Sequence, residues 1–351
     1  MRSIVYTRPG QSSVLELVER EVPTPGPGEV RVRVVASGVN PTDWKSRQSG
    51  SSRGGLPFPE IAPNQDGSGV VDAIGAGVDG LAVGDRVWTY LSATKRPTGT
   101  AQEHTVLPAD RVVPLPDGIP FDVGASLGIP AMTAHRALTL HETGPSRLAP
   151  GALDGMVVLA AGGAGAVGHA TIQLARWAGA TVITTISSPE KAALATAAGA
   201  HHTVNYRDDD AAEQVRAIAP DGVDIVVEVS VPQNADLDAA VLANHGLVAI
   251  YADNGGDQAA LRIRPNMGIN ARYQFLLVYT IGDAALHAAA EDITAALRDG
   301  ALPVGEEAGL PITRYPLEQT AAAHDAVEAD TVGKVLIDVS SPDAEQGPGA
   351  E

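Results

Sequence analysis

The sequence predicts an α/β protein in which an all-β domain is joined to a doubly wound parallel sheet. Three observations support this prediction. Short alternating strands cut by Gly and Pro run to about residue 130, apolar strands alternate with Ala-rich helices after it, and a Gly-rich loop follows the first of those strands. With 351 residues the chain is long enough for two ordinary domains, at about 150 residues each.

The first 130 residues have the pattern of an all-β domain. In Val30–Val35 valines alternate with arginines, so one face of a strand is apolar and the other is charged. The preceding segment, Pro23–Gly28, contains three prolines and cannot form a helix. Further strands are expected at Gly69–Ile74, Asp85–Tyr90 and Ala101–Val106. A small barrel or sandwich fits these elements better than a helical domain.

From about Ala131 the alternation of strand and helix patterns predicts a parallel sheet with helices on both faces. The expected strands are Met156–Ala161, Thr181–Ser187, His202–Tyr206, Val223–Val229, Gly246–Ala252 and, less regular, Tyr273–Thr280. The expected helices are Ala166–Ala178, Pro189–Ala198, Asp209–Ile218, Asn234–Asn244 and Asp283–Asp299. Gly333–Val339 reads as a closing strand, and the acidic, Pro- and Gly-rich segment Ser340–Glu351 as a frayed tail.

Composition excludes several classes of function. Lys and Arg number 24 against 42 Asp and Glu, a net charge of −18, which disfavours nucleic-acid and membrane-surface partners. The absence of cysteine excludes disulfides, thiolate nucleophiles, cysteine-bound zinc and iron–sulfur clusters. No run of about 18 apolar residues and no signal-peptide pattern occurs, so a cytoplasmic protein is expected.

The most informative motif is a glycine loop between the strand at Met156 and the next helix. It has the spacing Gly-x-Gly-x-x-Gly, with glycines where a tight turn, a close backbone approach and tight helix packing are needed. Amides at the start of the helix can then bind a pyrophosphate. The alternative is a flexible loop in a Gly-rich protein. We expect a dinucleotide to be bound by Gly163, Ala164, Gly165, Ala166, Val167 and Gly168.

The end of the next strand favours NADPH over NADH. An NAD site usually has an acid about 20 residues after the loop, but here the strand ends in hydroxyl residues. Ser188 is placed to cap a helix, with Pro189 as its first residue and Lys191 in its first turn. Such a group suits a phosphate, whereas Glu190 nearby argues against one. Plain helix capping with a solvated lysine is the alternative.

With these motifs in order, the sequence resembles the medium-chain dehydrogenase/reductase superfamily and, within it, the zinc-independent quinone oxidoreductases related to zeta-crystallin. The resemblance spans nearly the whole chain and rests on Val22–Val30, Gly38–Lys45, Gln65–Val71, Val83–Val87, Gly163–Gly168 and Gly333–Val335. It implies a GroES-like β-barrel catalytic domain and an inserted Rossmann domain. The implied boundaries are 1–130 for the first part of the catalytic domain, 131–275 for the Rossmann domain, 276–339 for the return and 340–351 for the tail.

The resemblance also shows where this chain lacks zinc ligands. Zinc-bearing relatives have Cys at the position of Asn40 and His at that of Gln65, and neither amide is a useful zinc ligand, so no metal is expected. Without a Lewis acid, the acceptor must spread the incoming charge itself. We therefore expect hydride transfer from NADPH to a quinone or another conjugated carbonyl compound.

The resemblance implies site residues position by position. Catalytic roles fall to Asn40, Asp43, Trp44, Thr133 and Tyr90, and cofactor contacts to Ser187, Ser188, Lys191, Tyr206 and again Thr133. Each has an ordinary alternative: Asn40 could hold the turn before Pro41, Thr133 could lie inside a helix, and Tyr90 and Trp44 could be core.

Several functions remain open on the sequence. They are a quinone reductase, an enoyl or alkenal double-bond reductase of a biosynthetic pathway, a catalytically silent NADPH-binding protein and, least favoured, a zinc alcohol dehydrogenase. The apolar segment Tyr273–Thr280 is either core or a surface that meets a second copy, and the resemblance favours a homodimer.

Overall fold

The computed structural model describes residues 1–50, 55–208 and 210–341. The strands are β1 (Arg2–Val5), β2 (Glu16–Glu19), β3 (Glu29–Val39), β4 (Asp66–Ile74), β5 (Arg86–Thr89), β6 (His104–Pro108), β7 (Val112–Pro114), β8 (Val157–Ala161), β9 (Thr181–Ile186), β10 (His202–Asn205), β11 (Val223–Glu228), β12 (Leu242–Ile250), β13 (Arg272–Phe275), β14 (Ile312–Pro316) and β15 (Lys334–Asp338). The helices are α1 (Pro41–Ser49), α2 (Phe121–Leu138), α3 (Ala166–Trp177), α4 (Pro189–Ala197), α5 (Ala211–Ile218), α6 (Val231–Val241), α7 (Ile263–Gly268), α8 (Asp283–Arg298) and α9 (Thr320–Glu328). None of these helices is both long and apolar enough to cross a bilayer.

The chain divides into two compact units. One contains Met1–Ile129 and the chain from Ile312 onward, and the other is Pro130–Pro311. The resemblance implied a return to the first unit at residue 276, whereas in the structure the segment up to Pro311 packs within the second unit. Asp292 of α8 bonds His135, and the carbonyls of Pro303 and Ala308 accept from Gln173 and His169.

The first unit is built on a sheet with the order β14-β15-β3-β4-β5-β7, and β6 also pairs with β3. Along β3 the residues Val30, Val32 and Val34 are buried, as the alternation predicts. The pairing of β15 and β4 with the two sides of β3 aligns Gly38 with both Leu336 and Asp66. This register brings the starts of β15 and β4 to the end of β3, where the polar site described below lies.

Two helices of this region are absent from the sequence prediction. Helix α1 buries Asp43 and Arg47 rather than an apolar stripe, so hydrophobic periodicity does not reveal it. Helix α2 contains Gly124, Gly128 and Pro130, which are poor helix formers. Gly128 is required there, because a Cβ at this position would overlap the carboxylate of Asp66.

The second unit is a parallel sheet with the strand order β10-β9-β8-β11-β12-β13. When the strands of this sheet are counted from β8 as the first, their order is 3-2-1-4-5-6. This is the doubly wound arrangement, and the strand order reverses between β8 and β11. Helices α5 and α6 pack on this sheet, since Val215 of α5 and Val241 of α6 belong to the same buried apolar cluster as Val226 of β11. The doubly wound parallel sheet expected from the sequence is present.

The bounds of several predicted elements differ from the structure. Helix α6 begins at Val231 because Pro232 occupies its first turn, and β12 accordingly begins at Leu242. The expected strand Tyr273–Thr280 ends at Phe275 and is followed by a 3-10 turn at Val278–Thr280. Ser340 is not frayed, since its N–H and hydroxyl bond β3 carbonyls, whereas the rest of the expected tail beyond Ser341 lies outside the described residues.

Candidate functional site

The glycine loop lies at the point where the strand order reverses. Strand β8 ends at Ala161, Gly162 adopts a left-handed φ of 70°, and α3 begins at Ala166. Gly163 faces Thr184 and Gly168 faces the Gly162 carbonyl so closely that a Cβ at either position would overlap its neighbour. The two glycines therefore fix the tight turn and the helix packing that the motif predicts.

Gly165 differs from its neighbours because it is open. It caps α3 with φ −89° and ψ 162°, is exposed, and a Cβ there would meet only the Gly162 carbonyl oxygen, at 3.4 Å. The backbone N–H groups of Ala166, Val167 and Gly168 lie in the first turn of α3, where the helix itself offers them no carbonyl acceptor. Bare backbone next to donors at a helix N-terminus is suited to a pyrophosphate.

The histidine that follows the loop does not add a charge. His169 is buried, and its Nε2–H donates to the Ala308 carbonyl at 2.8 Å. Burial lowers the pKa of His169 to about 4, so its imidazole is neutral near pH 7. The loop therefore attracts an anion through backbone dipoles rather than through a side-chain cation.

The residues expected at a 2′-phosphate come together at the ends of β9 and β10. Ser188 caps α4, with its Oγ accepting from the Lys191 amide at 3.3 Å, and the Tyr206 amide donates to the Ile186 carbonyl at 3.1 Å. Ser187 precedes the cap. These contacts bring Ser187, Ser188, Lys191 and Tyr206 to one edge of the sheet.

Two further charges flank this group. The Ser188 hydroxyl bonds the Glu190 carboxylate and, with the backbone amide of Glu190, holds its pKa below the usual value, so Glu190 is an anion. The Arg207 guanidinium lies 5.9 Å from the centre of the Tyr206 ring. Glu190, which the sequence analysis named as an opposing acid, is thus present beside the group, and Arg207, which the sequence prediction had not identified, is a second cation.

Two buried carboxyls lie at β11 and α6, next to the point where the strand order reverses. Glu228 ends β11 and accepts from the Ser230 amide and from Asn234 Nδ2, the latter at 3.0 Å, while Asp238 on α6 receives no N–H or O–H within the described chain. Burial, and for Asp238 also the charge of Glu228, raises the pKa of both groups. Both carboxyls therefore favour the protonated form more than a solvated carboxyl does.

In the first unit, four polar side chains form a buried network that we call the Asn40 cluster: Asn40, Asp43, Asp66 and Lys334. Lys334 Nζ donates to Asn40 Oδ1 and Asn40 Nδ2 donates to Asp66 Oδ2, both at 2.7 Å. The backbone N–H of Asn40 donates to Asp43 Oδ2 at 2.7 Å. The Asn40 side chain thus links the ends of three neighbouring strands.

The electrostatics of the Asn40 cluster follow from its burial. Burial and the nearby Asp66 raise the pKa of Asp43 to about 7, although hydrogen bonds from the backbone N–H groups of Asn40 and Gln65 act to lower it. Asp66 is held by the Ile129 amide, 2.9 Å from each carboxylate oxygen, and by Lys334, whose Nζ is 3.9 Å away. Burial lowers the pKa of Lys334 and raises the pKa of Asp66, while the opposite charges of the two groups act in the other direction.

These residues do not fit a catalytic zinc ion. Both polar atoms of the Asn40 amide are bonded within the cluster, and the ammonium of Lys334 already supplies a positive charge there. Gln65 Oε1 accepts from Ala93 N and Thr94 Oγ1. Among the residues that the structure describes, no group of three His, Asp or Glu side chains is arranged to hold a metal ion.

The other expected catalytic residues are spread over both units. Trp44 on α1 is half-buried, its buried indole N–H has no partner within the described part of the chain, and Lys45 Nζ lies 5.8 Å from its ring centre. Tyr90 is fully buried, packs on Trp88 and donates its hydroxyl to the Asp110 carbonyl at 2.7 Å, so it forms part of the core. Thr133 is buried inside α2, in the second unit.

The sequence analysis gave no role to Lys334, Asp66 or Gln65. A signal for Lys334 existed, since a lysine that opens the apolar strand Lys334–Asp338 is unusual unless it has a partner. The partners lie far away in the sequence, so the pattern alone could not name them.

Two protein-family models match the chain. The model described as "Alcohol dehydrogenase GroES-like domain" covers residues 26–117 and the one described as "Zinc-binding dehydrogenase" covers residues 166–291. Among curated proteins, "Quinone oxidoreductase" of Mus musculus is 31% identical over 347 residues, with 96% of this chain and 97% of that protein covered. "2-haloacrylate reductase" of a Burkholderia species is 30% identical over 351 residues, with 96% and 98% covered.

Solved structures show the same fold over nearly all of this chain. An NAD-dependent alcohol dehydrogenase superposes with a TM-score of 0.83 at 29% identity, with 97% of this chain and 100% of that chain covered. A mycobacterial protein complexed with NADPH superposes with a TM-score of 0.79 at 28% identity, with 96% and 99% covered.

Proposed function

Because this chain belongs to the zeta-crystallin-like quinone oxidoreductase family of the medium-chain dehydrogenases/reductases, we propose that it is a cytoplasmic, NADPH-dependent oxidoreductase that reduces a quinone or another conjugated carbonyl compound without zinc. One observation carries the proposal. Gly165 leaves bare backbone at the N-terminus of α3, where the strand order reverses, and this is where a doubly wound sheet binds a dinucleotide. The lack of cysteine is compatible with the cytoplasm.

The proposed cofactor residues lie in two places, the loop before α3 and the start of α4 with the adjacent end of β10. The loop from Gly163 to Gly168 offers amides to the pyrophosphate, and Ser187, Ser188, Lys191 and Tyr206 bind the 2′-phosphate. When bound, NADPH supplies the hydride. Arg207 adds a second cation beside Tyr206.

On the acceptor side, the Asn40 cluster takes the place of a metal site. Asn40 holds the start of α1 in place, so that Asp43 and Trp44 are presented from a fixed helix turn. The buried indole N–H of Trp44 has no acceptor among residues 1–50, 55–208 and 210–341, and we assign it to a substrate oxygen. Thr133 is proposed beside the nicotinamide, and Tyr90 supports this region through the core rather than through its hydroxyl. A conjugated acceptor suits such a site because it delocalises the charge that hydride delivery creates.

The relatives favour two acceptor classes of the same chemistry, quinones and activated alkenes. The test is NADPH and NADH oxidation with a quinone, an enone, an enal, a 2-haloacrylate and a simple ketone. We expect turnover with NADPH and the conjugated acceptors and none with the ketone, and a chelator should leave the rate unchanged. Tight NADPH binding without turnover of any acceptor would identify a silent binding protein instead.

The choice between NADPH and NADH is tested at Lys191, since one structural relative is named NAD-dependent and another binds NADPH. We expect Lys191→Ala to weaken NADPH binding about tenfold, or ~1.4 kcal/mol, because a cation beside the 2′-phosphate is lost. NADH binding should not change. Titrations of cofactor fluorescence measure both affinities.

Glu190→Gln is the matched control for Lys191→Ala, because it removes a negative charge from the same helix turn. It should strengthen NADPH binding and leave NADH unaffected. Equal losses for the two cofactors in Lys191→Ala would contradict the role of Lys191.

We further propose a homodimer formed through β13, the edge strand of the parallel sheet. Phe275 and Leu277 are 73% and 53% exposed beside it, and Met267 of α7 is 71% exposed, which is unusual for apolar side chains on a monomer. We expect Phe275→Glu to convert the dimer to a folded monomer, as light scattering after size exclusion would show. A wild-type protein that runs as a monomer at micromolar concentration would rule the dimer out.

A further inference from the structure

Among the residues that the structure describes, every polar group of Gln65 has a hydrogen-bond partner except its side-chain NH₂ group. Its backbone amide bonds Asp43 and its carbonyl accepts from Ser92 N at 3.0 Å. Its side-chain Oε1 accepts from Ala93 N at 3.2 Å and Thr94 Oγ1 at 3.1 Å. A backbone N–H can only donate, so the atom facing Ala93 is the oxygen, and the orientation of the amide is settled.

Gln65 Nε2 is consequently the only polar atom of this residue without a partner among residues 1–50, 55–208 and 210–341. Asn40 offers a contrast, since both its Oδ1 and its Nδ2 are bonded inside the Asn40 cluster. Gln65 is half-buried, precedes Asp66 directly and is tied to Asp43. Of these two side-chain amides, only that of Gln65 has an amino group without a partner among the described residues.

We propose that Gln65 Nε2 donates a hydrogen bond to the carbonyl oxygen of the acceptor, an inference that rests on the proposed function. Bound NADPH would supply a hydride, with oxidation to NADP⁺, and that hydride would form a C–H bond at the β-carbon of an enone or at a ring carbon of a quinone. For an enone, the electrons of the C=C bond move to the carbonyl oxygen, and a proton from solvent then bonds the α-carbon. Gln65 stabilises the charge on that oxygen.

The anchoring of Gln65 makes it effective in this role. A donor helps most when it is held in place before charge develops, because no reorganisation is then needed. The segment that holds Oε1 is itself fixed: Leu91 is 2% exposed with a left-handed φ of 52°, and the Ser92 hydroxyl donates to Thr89 Oγ1 at 3.1 Å. The amide therefore cannot turn away without losing two hydrogen bonds.

Gln65→Glu tests the proposal, because it keeps an oxygen for Ala93 and Thr94 and replaces only the NH₂ group. We expect kcat/KM for an enone and a quinone to fall about 100-fold near pH 8, the usual cost of losing one such donor. NADPH affinity and the melting temperature should stay close to wild type. A merely structural role for Gln65 would move the melting temperature instead.

The pH profile gives a second, independent readout. Below the pKa of the introduced carboxyl, the Gln65→Glu side chain carries an O–H that can donate, so the kcat/KM of this variant should recover relative to wild type. Asp43 titrates in both proteins, and the wild-type profile is therefore the reference. Thr94→Val is the control, since it removes one anchor and keeps the donor, and we expect a loss of less than about tenfold.

The outcomes separate this inference from the proposed function. If wild type reduces none of the acceptors with NADPH, the proposed function fails. If wild type is active and Gln65→Glu keeps its kcat/KM within about threefold at pH 8, only the role of Gln65 is wrong. Gln65→Met provides a second donor-free variant, and failure of both variants to fold would make Gln65 a structural residue and overturn the proposal.

Discussion

Gly165→Ala is expected to weaken NADPH binding by about 100-fold, or ~3 kcal/mol, while leaving the melting temperature unchanged. The backbone at Gly165 is in an ordinary extended region, and a methyl group there meets only the Gly162 carbonyl oxygen, at 3.4 Å. The protein can therefore accommodate alanine, but the methyl group would occupy the space into which the pyrophosphate must come. Fluorescence titration and thermal unfolding measure the two effects separately.

Gly168→Ala is the matched control, because the same methyl group points inward. At this position it would overlap the Gly162 carbonyl, so α3 or the loop must shift, at a cost of about 1–3 kcal/mol of stability. The two alanines should thus have opposite signatures. If Gly165→Ala bound NADPH like wild type, the pyrophosphate could not lie against the N-terminus of α3.

Lys334→Met is expected to lower the free energy of unfolding by about 3–5 kcal/mol, as when one partner of a buried ion pair is removed. Lys334 and Asp66 are 2% and 0% exposed, so water cannot replace the ammonium beside the carboxylate. Asn40 Oδ1 would also lose its donor. Urea unfolding followed by circular dichroism measures the loss.

The double variant Asp66→Asn, Lys334→Met tests the cause of that loss. Removing the carboxylate together with the ammonium leaves no uncompensated charge at this pair, so the double variant should be more stable than Lys334→Met alone. A Lys334→Met protein destabilised by less than about 1 kcal/mol would show that the ion pair does not hold the Asn40 cluster together.

The second unit was largely predictable because its signals are local. Strands β8 and β11 are apolar runs that are each followed by a helix, and the glycine spacing specifies the turn between β8 and α3. The extent of this unit was not predictable, since α8 belongs to it through Asp292, which bonds His135 and Arg147. Burial alone would raise the pKa of Asp292, but those bonds and the Leu148 amide lower it to about 2.

The first unit was harder to predict because it places charges where a pattern search expects apolar residues. The sequence Asn40-Pro41-Thr42-Asp43 is a helix start with a capping residue, a proline and an acid, yet α1 buries Asp43 and Arg47 and has no apolar stripe. Helix α2 keeps Gly128 because Asp66 must reach the Ile129 amide. In both helices tertiary contacts outweigh local propensity.

The sequence by itself determined the doubly wound sheet, the glycine loop and the helix cap at Ser188, because each depends on residues within a few positions of one another. Only the tertiary structure decided which hydrogen-bond partners Asn40 and Gln65 have. Asn40 meets Lys334, 294 residues away, and Asp66, 26 residues away, through the pairing of β3 with β15 and β4. A buried charge is stable only beside its partner, and long-range strand pairing, which no local pattern encodes, chooses that partner.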